Sequence, residues 1–266
     1  MRIDEICISG HKLDLRFTRC CVASIRHYYP AIPISLIKDS LHGDYDTQDL
    51  EASFGVTLFD TPVKRFGWGM AKLEPLLLPQ RRRFLVLDSD TVFTGPVLDL
   101  LERYEADFVV EECDHTPEDI RTNYFDPEAV ALEYPNFRYP GWVFNSGHFV
   151  ASSGLVTRAD FKPFVMFDEP RKVLRPERFT LGDQGFLNFV LFAKRQSGEL
   201  TIERCPFVQW AYCMEPGSVS AQDLMAGGSP RVIHWAGPKL RMLAAHPMGE
   251  VLRYFETAYY RRLHGR

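Results

Sequence analysis

The 266-residue chain is 45% hydrophobic and 25% charged, enough apolar material to fill one large core or two small ones. Its formal net charge of −4 lacks the basic surplus of a general nucleic-acid binder, which excludes nucleic acid as an expected partner. There is no apolar run of bilayer-spanning length and no signal-peptide pattern at the start, and Cys7, Cys20, Cys21, Cys113, Cys205 and Cys213 form no CxxC pair. The expectation is a soluble, cytoplasmic chain with reduced, mostly buried cysteines.

Residues 3–8 (IDEICI) end in Ser9-Gly10-His11 and read as a strand with its turn. Leu15, Val22, Ile25 and Tyr29 recur at helical spacing, predicting a helix over 15–29 capped by Asp14. Pro30 and Pro33 bracket a second strand at 34–37, and strand, helix, strand opens a mostly parallel α/β sheet. Residues 38–52 are polar and loop-like, and VTLF at 56–59 is a third strand. The glycine-rich FGWGM (66–70) leads into a predicted helix over 71–78, with Pro75 tolerated near its first turn. A strand at 84–87 is followed by a helix from Val97 to Tyr104 and a strand at 107–112. Residues 113–142 form a polar insert, and loops of that length in a compact domain tend to be functional.

WVFNSGHFVASS (142–153) reads as a strand pair or a bent strand, and GDQGFLNFVLFAKR (182–195) as an amphipathic helix with a polar start. Between them Arg171, Lys172, Arg175 and Arg178 read as a solvated charge run, with a lid over an anionic acceptor as the alternative. Residues 203–213 read as strand and loop, 229–239 as a strand carrying His234 at its exit, and 247–263 as a terminal helix. Its aromatic and basic end (Tyr259, Tyr260, Arg261, Arg262, Arg266) is the segment suited to peripheral contact with the anionic inner face of a membrane. With no repeat or linker in view, residues 1–266 are expected to form a single domain.

One stretch carries the chemistry. In FLVLDSDTVF (84–93), four apolar residues in a row imply a central strand buried on both faces, and Asp88 and Asp90 follow at its carboxyl end. Ligands of open α/β sheets bind there. Two adjacent carboxylates repel unless a proton or cation intervenes, and residues i and i+2 of an extended segment face the same side.

From these residues onward the chain resembles the GT-A glycosyltransferases, and within them the retaining enzymes of glycosyltransferase family eight, such as glycogenin and bacterial galactosyltransferases. KLEPLLLPQRRRFLVLDSDTVF, FNSGHFV, GDQGFLN and VIHWAGPK carry the resemblance, in that order, between residues 72 and 239. It implies a Rossmann-like GT-A domain with a mostly parallel central sheet flanked by helices. Asp88 and Asp90 match the family's DxD motif and His234 the histidine that completes its metal site. The imidazole favours Mn²⁺ over Mg²⁺, which is the runner-up. Ser89 between the two carboxylates reads as a turn residue rather than a metal ligand and is counted with Ile8, Ser9 and Lys72 among the residues that line the nucleotide-sugar site. Gly237 and Lys239 match a phosphate-approaching segment, although Lys239 is followed by Leu240 and then by Arg241, which stands two positions on where the family places an aromatic. Asn145, Ser146 and Gly147 match the segment facing the donor sugar, Asp183 and Gln184 the pair beside the anomeric carbon, and Lys72 a cation near the phosphate. Ile8, Ser9 and Gly10, with Arg16 beyond, fall where the nucleotide is held; the insert 113–142, which no motif of the resemblance covers, is expected on the acceptor side.

The resemblance implies a hexosyltransferase using a nucleotide sugar, UDP-hexose by expectation, and a saccharide, lipid-linked or protein acceptor. Two other readings stay open. LDSDTV also satisfies the nucleophile motif of haloacid-dehalogenase-like phosphatases, with Asp88 attacking phosphorus. A non-catalytic sugar-nucleotide-binding protein would need the same pocket without turnover.

Overall fold

A computed structural model describes every residue except Trp68, Pro238, Arg241 and Arg266, so the expectations for Arg241 and Arg266 lie outside the described residues. The strands are β1 (Glu5–His11), β2 (Ile34–Asp39), β3 (Val56–Leu58), β4 (Arg83–Asp88), β5 (Thr91–Phe93), β6 (Phe108–Glu111), β7 (His148–Ser152), β8 (Val165–Met166), β9 (Lys172–Val173), β10 (Ile202–Cys205), β11 (Val208–Trp210) and β12 (Val232–His234). The helices are α1 (Leu15–Tyr28), α2 (Gln48–Phe54), α3 (Leu73–Leu76), α4 (Val97–Leu101), α5 (Pro117–Asn123), α6 (Pro127–Glu133), α7 (Arg158–Phe161), α8 (Asp183–Gln196), α9 (Ala221–Met225) and α10 (Gly249–Leu263).

Seven strands form the main sheet in the order β10-β6-β7-β4-β1-β2-β3. Every pairing is parallel except those of β7, which runs against both β4 and β6. The centre of the sheet is buried on both faces, so β4, β6 and β7 are largely apolar rather than alternating, while the edge strands β3 and β10 expose polar residues. Ile6, Ile8, Leu85, Leu87, Val109 and Val150 face a core shared with α1 and α10. Phe84, Val86, Phe108, Val110, Phe149 and Ala151 face a second core shared with α8 and the insert. A smaller sheet, β11-β12-β5, sets His234 of β12 opposite Thr91 of β5.

Several local expectations are corrected. The loop at 38–52 contains the start of α2, and the helix expected over 71–78 is a 3₁₀ turn (Met70–Lys72) followed by α3. The helix expected as far as Tyr104 ends at Leu101. Only β7 forms within 142–153. Asp14 makes no capping hydrogen bond and instead meets His11 Nε2 at 3.2 Å. The insert is not a plain loop, because Thr116 and Asp126 cap α5 and α6, each of which has a proline in its first turn. Arg171 is not solvated: its side chain is fully buried against Glu74 and lies over the rings of Phe66 and Phe167. Arg175 and Arg178 pair with Glu133 on α6. In the tail Tyr259 is buried and stacked on Phe54 at 4.5 Å, so it belongs to the core, while Tyr260 and Arg261 are exposed. No described helix is long and apolar enough to cross a membrane.

Candidate active site

The site lies at the carboxyl ends of β1 and β4, and the DSD turn between β4 and β5 is held by backbone on three sides. Asp88 N–H donates to Gly147 O (2.7 Å), Ser89 N–H to Ser9 O (3.0 Å), and Asp90 O accepts from Trp235 N–H (3.0 Å). Ser9 is also the register partner of Asp88. Ser89 is therefore a buried turn residue, as expected. Ile8 is placed differently, with its side chain fully buried in the α1-side core, so only its backbone faces the strand exit. Arg16 pairs with Glu256 of α10 at 2.8 Å.

Asp88, Asp90 and His234 converge so that one ligand atom from each lies within 4.8 Å of the others. His234 Nε2 is 3.2 Å from Asp90 Oδ1, and the buried Nδ1 has no hydrogen-bond partner. Burial would raise the Asp90 carboxyl, but the neighbouring His234 and Lys239 outweigh it and hold the group well below the usual carboxylate range. Lys239 Nζ bonds both Asp90 Oδ2 and Trp235 O. Gly237 has a φ of +103°, a left-handed conformation suited to glycine, and open space around its α-carbon.

Gly147 forms the floor. A Cβ built there would fall 2.7 Å from Asp88 Oδ2, Asn145 Oδ1 and His234 Cε1, tighter than carbon tolerates. Two carboxylates and an imidazole over a floor that admits no side chain make a donor set fitted to a divalent cation.

Beside this triad Lys72 is buried, with Nζ 3.0 Å from Asp88 Oδ1, 3.4 Å from Asp183 Oδ2 and 3.3 Å from Ser146 Oγ. Burial would depress the lysine, but Asp183 and Asp88 hold it above its ordinary value. Asp183 opens α8 and is pushed up by burial, with Lys72 opposing the shift. Gly69 packs over it so closely that a Cβ would sit 1.8 Å from Asp183 Oδ1. Gln184 Oε1 accepts from Asn145 Nδ2 (2.8 Å), and Gln184 Nε2 donates to Asn123 O at the end of α5 (3.1 Å). Asn145 Oδ1 accepts in turn from Gly147 N–H (2.7 Å). Asn145, Gln184 and the insert are thus one hydrogen-bonded unit.

Three residues not singled out from sequence complete the wall. Glu111, at the end of β6, accepts from Asn145 N–H at 2.8 Å. Its Oε2 lies 3.0 Å from His148 Nε2 without hydrogen-bond alignment, and burial drives His148 well below its ordinary pKa. Trp210 lies against His234, ring centroids 5.0 Å apart. The signal for Glu111 was its place at the carboxyl end of an apolar run, as for Asp88. Nothing local marks Trp210, which pairing of β11 with β12 brings in.

No protein-family model and no curated protein sequence matches the chain. Solved structures do resemble it. The apo bifunctional glycosyltransferase WbbM aligns with a TM-score of 0.61 at 14% identity, over 98% of this chain and 52% of its own. The glycosyltransferase GlyE of Streptococcus pneumoniae TIGR4 aligns at 0.58 and 15%, over 100% of this chain and 63% of its own. The galactosyltransferase LgtC, solved with donor and acceptor sugar analogues, aligns at 0.57 and 13%, over 96% of this chain and 95% of its own. The chain spans between half and two thirds of the first two and nearly all of LgtC. All three are glycosyltransferases, and the fold is the GT-A fold expected from the motifs.

Proposed function

We propose that the chain is a metal-dependent hexosyltransferase of the family-eight type, folded as one domain, that moves a sugar from UDP-hexose to an acceptor with retention of anomeric configuration. The observation that carries this reading is the meeting of Asp88, Asp90 and His234 within 4.8 Å, beside the buried Lys72–Asp183 pair. LgtC's donor and acceptor analogues support a nucleotide-sugar partner here. Asp88, Asp90 and His234 would hold Mn²⁺. Bound there, the cation would supply charge neutralisation for a departing diphosphate.

The remaining roles fall to this chain's side chains. Lys239 answers the leaving-group charge and Lys72 fixes the orientation of Asp88 and Asp183. Asp183 presents a buried carboxylate held by Lys72 at 3.4 Å, suited to accept from a sugar hydroxyl. Asn145 and Gln184 set the sugar's position through the network that reaches the insert. Among the described residues no covalent nucleophile stands apart from these groups, so same-face attack with proton transfer to the leaving phosphate is the proposed course. The Asp88-nucleophile phosphatase reading is not favoured, because the chain's structural neighbours are glycosyltransferases.

Calorimetric titration with UDP should show Mn²⁺-dependent binding, reduced at least tenfold by Asp88→Asn. Failure of UDP to bind with any divalent metal would remove the reading. Release of phosphate from p-nitrophenyl phosphate that depends on Asp88 would favour the phosphatase instead. For the stereochemistry, proton NMR of the product should show a retained anomeric coupling; an inverted one would sink the family assignment.

A further inference from the structure

Two lysines reach the aspartates of this site, and they differ in freedom. Lys72 is 4% exposed and wedged between Asp88 and Asp183. Lys239 is 22% exposed and sits in the segment that leaves β12. Its ammonium rests in a socket of three groups: the carboxylate of Asp90, the carbonyl of Trp235 at 2.5 Å, and the ring of Phe17, whose centroid is 5.1 Å away. The next residue is anchored too, because Leu240 N–H donates to His246 Nε2 at 2.9 Å and His246 packs edge-on against Phe17 at 5.2 Å. Lys239 thus spends its charge on Asp90, a carboxylate that the proposed function assigns to a divalent cation.

We propose that Lys239 and the divalent cation are alternative occupants of Asp90. Cation binding displaces the ammonium by like-charge repulsion and so frees it for the diphosphate that the cation brings. Resting on the proposed function, this makes Lys239 a gate. It competes with the metal alone and cooperates with the metal–nucleotide pair, a coupling whose two signs are opposite. Lys72 cannot play this part, because moving it would leave Asp183, which is buried, without a counter-charge.

Titration of Mn²⁺, followed by the loss of the free-ion electron paramagnetic resonance signal, separates the two effects in wild type and Lys239→Met. Without nucleotide, Lys239→Met should bind Mn²⁺ about tenfold tighter than wild type. With UDP present it should bind the pair more weakly than wild type. Unchanged or weaker Mn²⁺ binding by Lys239→Met alone would overturn the gate. If wild-type UDP binding stays Mn²⁺-dependent in that case, the proposed function survives; if it does not, both fall. Hydrogen exchange at the Leu240 amide gives a second reading on unmodified protein. Mn²⁺ alone should accelerate it and UDP with Mn²⁺ should slow it again, whereas no response to Mn²⁺ contradicts the displacement.

Discussion

At Gly147 the backbone passes beneath three functional atoms at once, which makes it the most sensitive residue for a conservative test. Adding a single methyl in Gly147→Ala must push Asp88, Asn145 or His234 away from a 2.7 Å contact. The residue lies in a turn and not inside a packed strand, so the fold should survive with an unchanged circular dichroism spectrum. Mn²⁺-dependent UDP affinity should fall at least tenfold, the scale of disturbing metal-ligand orientation; unchanged affinity would show that the floor is not part of the site. This glycine was visible in the sequence only as one letter of FNSG. Its motif pointed to a sugar-facing asparagine, while the crowding beneath it comes from Asp88 and His234, which lie 59 and 87 residues away in sequence. Asn145 and Gln184 were each legible as polar groups near the donor, but not as partners of one another. Lys72, which by its sequence position could equally have been an exposed helix lysine, is buried because two carboxylates surround it.

Between elements, two polar junctions hold the layers that carry the site. Asp49 in the first turn of α2 accepts from Arg19 of α1 (2.6 and 3.0 Å) and from the hydroxyl of Tyr259 on α10 (2.5 Å). Burial would raise this carboxyl, but Tyr259 and Arg19 hold it below its ordinary value. A depressed folded pKa contributes stability above the unfolded pKa, near 3.9, and loses it as pH falls through the folded value. Asp49→Asn should therefore cost about 1–2 kcal/mol at pH 7, discounted for partial exposure. In urea titrations the gap to wild type should be constant above about pH 4 and narrow as pH falls below it; a gap that does not narrow with falling pH would mean that lost packing, not charge, explains it. The second junction is Arg171 with Glu74, which ties the strap around β9 to the 3₁₀ turn and α3 below Lys72. Arg171→Met leaves Glu74 buried and uncompensated, a loss of about 3–5 kcal/mol by urea unfolding. The double variant Arg171→Met/Glu74→Leu should recover most of it, and failure to do so would place the cost in the arginine's ring contacts. Helical periodicity showed α1, α8 and α10 because each buries a long apolar stripe. The short helices of the insert were missed as loops although Thr116-Pro117 and Asp126-Pro127 are cap-and-proline starts, since seven residues bury too little to show a period. The direction of β7 was not legible at all. All five of its residues are buried, and a strand covered on both faces carries no mark of parallel or antiparallel pairing.

For the whole molecule, the two apolar clusters are opposite faces of the same strands. Phe84 and Val86 serve one core, Leu85 and Leu87 the other, and the same alternation runs through β1, β6 and β7. Neither core can lose its sheet without exposing the other, so the proposed single domain should unfold as one cooperative unit. The proposed site draws on both sides of the sheet: His234 and Trp235 come from the α1 side, and Lys72 and Asp183 from the α8 side. A ligand held there should stabilise both cores together. At a hundredfold excess over its dissociation constant, UDP with Mn²⁺ should add about 2.7 kcal/mol, which for a chain of this size is a rise of roughly 5–10 °C in Tm. Calorimetry should show one endotherm with matching calorimetric and van't Hoff enthalpies, displaced as a whole when both ligands are present. Two resolved transitions, or a shift confined to part of the heat, would divide the chain into separate units and place the site on only one of them.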